Sequence, residues 1–301
     1  CAQRELDAPL TPRSAPWLEL IAAYGEACPK LERALIVDDR RCMVAGLQLA
    51  AARDPRGVLA WVERLLTFPD ADVQDQALRA ALIAHSARGW EICRTVALQD
   101  RAVNAVAIQL FGALGGASAC VQLEPLLASP AHREDVLFAF GASGCSEVIP
   151  TLMRQIGEAG RSAKVAFEAF STLTGLDTAD RQFVGVERDE DDDGAPLDTS
   201  LHERAADLYA PSVDAVARWW SERSASLSAR ARWLGGQPFT LEAVRSFLLD
   251  APLRRRHLIA DVLRVHVRGS LALDTRARPA RQRAQLAALR PVPLHNPYAA
   301  G

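Results

Sequence analysis

The chain has 301 residues, enough for one large domain or two ordinary ones with a substantial apolar core. Hydrophobic residues make up 49% of it and charged residues 24%, a balance that excludes collagen-like and disordered chains. No apolar run approaches the roughly 18 residues that a membrane span needs, so we expect no transmembrane helix.

The formal charge of −2 is unevenly distributed along the chain. Residues 1–175 carry a net charge of −3, residues 176–210 a net charge of −8 and residues 211–301 a net charge of +9. Phosphate neutralisation supplies most of the affinity for duplex nucleic acid, so a protein that holds a duplex along its length has a basic excess there. The balance over residues 1–175 therefore predicts a partner other than nucleic acid.

The six cysteines have the spacing of free thiols. They include no C-x-x-C pair and no histidine at zinc-ligand spacing, so we expect neither a metal nor a cofactor. Most lie among Ala, Val and Leu, as small core residues do, which favours a reducing compartment and a cytoplasmic location. Cys1 is either the lipid-bearing first residue of a mature lipoprotein or the boundary of a fragment, and we prefer the second interpretation. The cysteines are Cys1, Cys28, Cys42, Cys93, Cys120 and Cys145.

An N-terminal segment, residues 1–29, precedes a long region of helical periodicity, residues 30–175. Apolar residues there recur at i, i+3, i+4 and i+7, and no stretch alternates long enough with the period of two that is typical of a strand. Turn-forming residues interrupt the pattern about every 30 residues. We expect first helices to begin near residues 41, 72, 102, 131 and 161, and second helices near 56, 89, 118 and 146.

Two neighbouring segments align without gaps at an offset of 29 residues. The matching pairs are Phe111 and Phe140, Gly112 and Gly141, Gly115 and Gly144, and Leu123 and Leu152. One helical hairpin has two apolar faces and buries only one internally, so it stacks on a neighbour to bury the other. The predicted fold class is therefore all-α, a right-handed α-solenoid of hairpins about 30 residues long. We assign the four repeated glycines to tight turns within the hairpins.

An acidic, irregular insertion, residues 176–210, follows the repeats. Its centre, residues 187–193, has six acidic residues among seven. A divalent-cation loop would space its ligands and place a glycine inside, so we prefer a solvated insertion. A C-terminal helical region, residues 211–290, contains a helix near 212–226 and another capped by Thr240, and we expect it to cap the open end of the solenoid. Residues 291–301 are predicted to be a flexible tail.

The segment 140–152 resembles the short HEAT-type repeat, which also occurs in phycobilin-lyase-like proteins. From about residue 30 onward, the chain is similar to an uncharacterised proteobacterial HEAT-repeat family. Its characteristic elements match residues 169–175, the acidic run 187–193, the Trp pair 219–220, residues 232–240 and the Arg triplet 254–256. Genes of that family are often found beside type VI secretion components, so the resemblance implies an accessory, adaptor or immunity role for a secreted effector. The family has no assigned catalytic residues to carry over.

We expect a non-enzymatic scaffold or adaptor that binds another protein, such as a secreted effector or a component of the secretion tip. The histidines and Ser143 lack catalytic spacing; His257 and His266, for example, are nine residues apart on one predicted helix and cannot share a metal. Two alternatives stay open. A HEAT-like nucleic-acid-binding enzyme such as a DNA glycosylase would use a basic concave face with aromatic residues and an acid, and a phycobilin-lyase-like protein would share only the repeat.

Second helices usually line the concave side of a solenoid, which predicts a docking surface at their exposed polar positions. Trp219 is either a residue that packs against the final helices, which we favour, or an exposed anchor for a partner. Arg254, Arg255 and Arg256 either bind an acidic partner or phosphate or, as we favour, form a solvated basic face at the start of a helix beside the acidic insertion. The predicted partner-binding residues are Glu63, Arg64, Arg94, Gln122, Glu124, Arg154, Gln155, Trp219, Arg254 and Arg255.

Overall fold

The computed structural model is mostly helical, in agreement with the all-α prediction. It describes residues 10–24, 31–99, 104–185, 208–227, 231–269, 273–275, 277–289 and 293–298. The chain divides into two compact units, one formed by the described parts of Cys1–Ala107 and Ile259–Tyr298 and the other by those of Ile108–Leu258. The boundary at Ala107 falls inside the predicted repeat region 30–175. Cys1, Cys28 and the acidic run 187–193 lie outside the described residues.

The helices of the first unit are α1 (Ala15–Tyr24), α2 (Leu31–Ile36), α3 (Arg40–Arg53), α4 (Leu59–Leu65), α5 (Ala71–Ile83), α6 (Ala87–Ala97) and α14 (Pro279–Ala287). Short polar side chains cap the N-termini of three of them, α3, α5 and α6. Asp39, Asp70 and Ser86 accept hydrogen bonds from backbone N–H groups of the first turns that follow them, at 2.8–3.1 Å.

The second unit combines helices with a two-stranded hairpin. Phe111, Phe140, Phe167 and Phe170 are fully buried in its core. Its complete elements are α8 (Pro130–Ser143), α9 (Ile149–Ile156), α10 (Arg161–Thr174), α11 (Val213–Arg223), β1 (Trp233–Leu234), β2 (Gln237–Pro238) and α12 (Leu241–Asp250). Two further helices, α7 (Ala105–Leu123) and α13 (Leu253–His266), contribute residues to both units.

The helix starts agree with the periodicity. The predicted first helices correspond to α3, α5, α7, α8 and α10, each beginning within three residues of its expected position. The expected second helices correspond to α4, α6, the part of α7 after its break at Gly116, and the segment from Ser146 through α9. Thr240 caps α12 as predicted, accepting a hydrogen bond from the Ala243 N–H at 3.2 Å.

The assignment of all four repeated glycines to turns is wrong. Only Gly144 ends its helix in the left-handed conformation, with φ of 74°, and the break in α7 lies at Gly116, with φ of 67°. Gly112 and Gly141 lie inside helices that approach their neighbours closely. A β-carbon on Gly112 would lie 2.8 Å from Ala139 Cβ, and one on Gly141 would lie 2.8 Å from Ala169 Cα. These two glycines therefore permit close helix packing.

The hairpin of β1 and β2 was missed because its strands are two residues long and carry no periodicity. The pairing is antiparallel, with Trp233 opposite Pro238 and Leu234 opposite Gln237. Gly235 and Gly236, with φ of 59° and 74°, form its turn.

Residues 105–128 also depart from expectation. This stretch of 24 residues is long and apolar enough to cross a membrane by length and composition alone. The helix in this stretch is broken at Gly116. Of its most apolar 18 residues, 61% are buried inside the protein, as in many core helices. By itself it is weak evidence for a membrane span.

The end of the chain departs from the predicted flexible tail. Within the described residues 293–298, Tyr298 is 9% exposed and packs against the first unit. By contrast, the cysteines behave as expected where the structure describes them, since Cys42, Cys93, Cys120 and Cys145 are buried free thiols.

Candidate functional site

A buried ion network lies at the centre of the second unit. Glu168 projects from α10 on the face that also carries Lys164, Val165, Ser171 and Thr172, and it is 6% exposed. Its carboxylate pairs with the guanidinium groups of Arg254 and Arg255 at the start of α13, the latter at 3.2 Å. Because solvent screening is weak at such a position, the carboxylate holds both arginines in place.

Arg255 is fully buried, and the prediction of a solvated basic face for this residue is wrong. One of its guanidinium nitrogens donates a hydrogen bond to the Phe138 carbonyl oxygen at 2.6 Å. The guanidinium carbon lies 3.9 Å from the centre of the Phe138 ring, in cation–π geometry. Burial lowers the pKa of Arg255, while Glu168 opposes that shift. The long side chain therefore joins α13 to α8 and α10.

Arg254 borders a cleft with a volume of about 450 Å³. The cleft lies between the C-terminal half of α10, the hairpin turn and α12, with Leu176, Leu234 and Phe247 among its apolar lining. A site of this size is typical for small ligands or a single large side chain. Its polar lining includes Glu168, Ser171, Thr172, Asp177, Thr178, Gln237, Ser246, Asp250 and Arg254.

The hairpin supplies hydrogen-bond donors to the C-terminal ends of helices. Arg232 donates to the carbonyl oxygens of Ala113 and Ser143, each at 2.8 Å. The backbone N–H groups of Gly235 and Gly236 donate to Thr172 and Leu173 at 2.7 and 2.9 Å. The last carbonyls of a helix have no intrahelical partner, so these contacts satisfy groups that would otherwise need water.

Two buried thiols lie beside Arg232. A hydrogen bond with Cys120 lowers the pKa of Cys145, and the nearby Arg232 guanidinium lowers it further. The same hydrogen bond and burial raise the pKa of Cys120 well above its ordinary value. Ser143 accepts a hydrogen bond from the Cys145 N–H at 3.1 Å, which agrees with its interpretation as a turn serine.

The predicted docking residues of the first unit lie on α4 and α6. Glu63 is half-buried and accepts a hydrogen bond from the Ser86 hydroxyl at 2.5 Å. Arg64 is exposed and lies over the Trp61 ring at 4.9 Å. Arg94 is exposed as well. The two arginines are thus accessible to a partner.

In the second unit, the structure brings some predicted residues together and buries others. Glu124 pairs with Arg154 at 3.3 Å and accepts a hydrogen bond from Thr151 at 2.8 Å. Gln122 is half-buried, whereas Gln155 is buried, so its expected exposure is wrong. The Gln155 amide nitrogen donates to Glu158 at 2.9 Å.

Trp219 is a packing residue, but its aromatic neighbours precede it in the chain and do not belong to the final helices against which we expected it to pack. Its ring meets the rings of Phe170 and Phe183 edge-on, with centroids 6.0 and 6.4 Å apart. Arg223 lies over its face at 4.8 Å. Trp219 is half-buried and joins α11 to α10.

Sequence reasoning missed Glu168 and the rim carboxylates Asp177 and Asp250. Glu168 carries no local signal, because it lies beside Lys164, Ser171 and Thr172 on a mixed helix face, where a charged residue is expected to be exposed. No local pattern marks the cleft either, since its residues come from three separate segments.

Comparisons with known proteins match no family model, no curated protein and no solved structure. Among the described residues, no group of three or more acidic, histidine or cysteine side chains could hold a metal ion.

Proposed function

We propose that this chain is a non-enzymatic protein-binding scaffold, a right-handed α-solenoid of short helical hairpins. The observation that carries the proposal is the matching environment of Gly112 and Gly141. Each glycine allows its helix to approach an alanine of the following first helix, Ala139 and Ala169 respectively, at the same place in successive hairpins. Repeated packing of this kind is typical of solenoids, whose common function is to present an extended surface.

The surface of the second helices has the mixed character of a protein interface. In the second unit, Val121 is 68% exposed. Three residues further along the chain, Glu124 forms a solvent-exposed pair with Arg154. Neither charge sign dominates these positions, and a mixed surface of charged and apolar groups suits a protein partner better than a polyanion. The cleft beside Arg254 offers a pocket for one side chain of such a partner.

The partner class to test first comes from the family resemblance, which implies a secreted effector of a type VI secretion system or a component of its tip. In that setting the chain would accompany or neutralise the effector in the cytoplasm. Inhibition of the effector's toxicity distinguishes an immunity protein from an adaptor, which only accompanies it.

The scaffold proposal is tested by cross-linking in the native host, followed by affinity measurement with the purified partner. Val121→Asp combined with Arg154→Glu should weaken binding at least ten-fold. The matched control is Val213→Asp with Arg181→Glu, which changes the same residue types at exposed positions elsewhere in the second unit and should leave affinity unchanged. Equal losses in both variants, or tight and salt-sensitive binding to duplex DNA, would overturn the proposal.

A further inference from the structure

Residues 293–298 are docked on helices of the first unit through one tyrosine. The hydroxyl of Tyr298 donates a hydrogen bond to the Leu82 carbonyl oxygen at 3.0 Å, in the last turn of α5. The Tyr298 ring stacks on Trp90 of α6, with centroids 4.6 Å apart and planes inclined by 14°. We name the surface that receives the Tyr298 side chain the tyrosine slot; it is formed by Leu82, His85 and Trp90.

His85 forms one wall of the tyrosine slot. Its φ of 64° lies in the left-handed region, which residues other than glycine rarely adopt, and it turns the chain from α5 into α6. The ring nitrogen Nε2 lies 2.9 Å from the Val265 carbonyl oxygen, and the ring meets Tyr298 edge-on at 6.2 Å. The contact with Val265 of α13 therefore holds the His85 ring in position whether or not residues 293–298 are docked.

The docked segment has a turn of its own. The Asn296 side-chain oxygen accepts a hydrogen bond from the Tyr298 N–H at 3.0 Å, which closes a turn around Pro297. Proline restricts the backbone of this turn, so little conformational freedom is lost when it docks. A longer hydrogen bond, from the His295 N–H to the His266 carbonyl oxygen at 3.4 Å, holds the start of the segment.

These contacts have the pattern of short-peptide recognition. One aromatic anchor fills a slot between helices, its polar end meets a helix carbonyl, and a preformed turn presents it. Among the described residues, the main-chain hydrogen bond from His295 to His266 is long, so it contributes less than the anchor to holding the segment.

We propose that the tyrosine slot is a peptide-docking site for Asn-Pro-Tyr turns, and that the chain's own residues 293–298 cover it until a partner segment of that chemistry displaces them. This inference rests on the proposed scaffold function and assigns one of its contacts. The partner is then a protein with an accessible Asn-Pro-Tyr turn.

The probe is a fluorescein-labelled peptide with the sequence of residues 293–299, added to the full-length chain and followed by fluorescence anisotropy. The variant Tyr298→Ala vacates the slot and should bind the peptide at least ten-fold more tightly than the wild type, whose slot is filled. Tyr298→Phe retains the stacked ring and loses only the hydroxyl bond, so its affinity for the peptide should lie between the two. A peptide with alanine in place of tyrosine should not bind.

Adding Trp90→Ala to Tyr298→Ala should reduce peptide affinity at least ten-fold, whereas Trp90→Phe should largely preserve it. Circular dichroism establishes that each variant is folded, and Tyr298→Phe provides the comparison if Tyr298→Ala is not. The proposed docking site would be overturned if wild type and Tyr298→Phe bound the peptide equally well. It would also be overturned if adding Trp90→Ala to Tyr298→Ala left peptide affinity unchanged. Concentration-dependent dimerisation of the wild type that Tyr298→Ala abolishes would assign the occupant to a second copy and overturn docking of the tail within one chain. The peptide has the sequence of this chain and tests only the tyrosine slot. If it does not bind, the proposal that the second helices bind a partner is unaffected.

Discussion

Replacing Glu168 by glutamine tests the ion network of the second unit. Glutamine retains the volume of the side chain and removes the charge that faces two guanidinium groups. The Arg255 side chain is 1% exposed and that of Arg254 is 18% exposed, so solvent does not replace the lost carboxylate. Removal of one partner from a buried ion pair typically costs about 3–5 kcal/mol, because the other charge stays buried without compensation.

Two remaining contacts place the expected cost at the lower end of that range. Arg255 retains its hydrogen bond to the Phe138 carbonyl and its position over the Phe138 ring. We therefore expect Glu168→Gln to lower the free energy of unfolding by about 3 kcal/mol. In a unit of this size, that corresponds to a decrease in melting temperature of about 6–12 °C. Thermal and urea unfolding followed by circular dichroism measure both quantities.

The control is Arg154→Gln, which breaks the exposed pair with Glu124 and should cost less than about 1 kcal/mol. Combining Glu168→Gln with Arg255→Met removes the carboxylate and the more deeply buried of its two guanidinium partners, leaving only the partly exposed Arg254, and should recover a large part of the lost stability. A loss below about 1 kcal/mol for Glu168→Gln would refute the reasoning. So would a double variant that is no more stable than Glu168→Gln.

Three further changes probe the packing, the hairpin and the pH dependence. Gly141→Ala should destabilise the second unit by about 1–3 kcal/mol in urea unfolding, because the new β-carbon meets the Ala169 backbone, whereas Gly157→Ala at an open helix end should not. Arg232→Ala leaves two helix carbonyls without their donor and should cost about 3 kcal/mol, while Arg232→Lys, which lacks the planar fork, should fall between it and wild type. Burial raises the pKa of Asp75 to about 6, so ionisation disfavours the folded state, and the first unit should gain roughly 2 kcal/mol as the pH falls from about 7 to about 4. The variant Asp75→Asn should lack this gain, and an unchanged pH profile would contradict the assignment.

The helices were predictable because their periodicity is local. Apolar spacing and the turn residues between repeats placed the starts of α3, α5, α8 and α10 within one residue, and Thr240 marked the cap of α12. The role of the repeated glycines was not predictable from spacing alone. A turn and a close helix contact both select glycine, and only the partner helix, which lies 27 or 28 residues further along, distinguishes them.

The candidate site was less predictable, because long side chains can be buried or exposed at the same position in a sequence. The Arg triplet at the start of α13 has the composition of a solvated surface, yet Arg255 lies in the core. Its burial depends on Glu168, 87 residues earlier, and neither residue has a local pattern that names the other. Exposure of Arg64, Arg94 and Arg154 was predicted correctly because the helical stripe around them is local.

In each unit, residues from the C-terminal part of the chain donate hydrogen bonds to carbonyls of helices in the predicted repeats. Tyr298 does so at Leu82 in the first unit. In the second, Arg232 bonds to Ser143 at the end of α8, and Arg255 bonds to Phe138 inside the same helix. A first helix that ends in a tight turn leaves its last carbonyls without intrahelical partners, and a hairpin repeat has few donors of its own to offer. The segments after residue 210 therefore supply hydrogen-bond donors to helices that precede them in the chain. Among these donors, Arg232 matters most, because the Ser143 carbonyl lies at the end of α8, where no further turn of the helix supplies an N–H group.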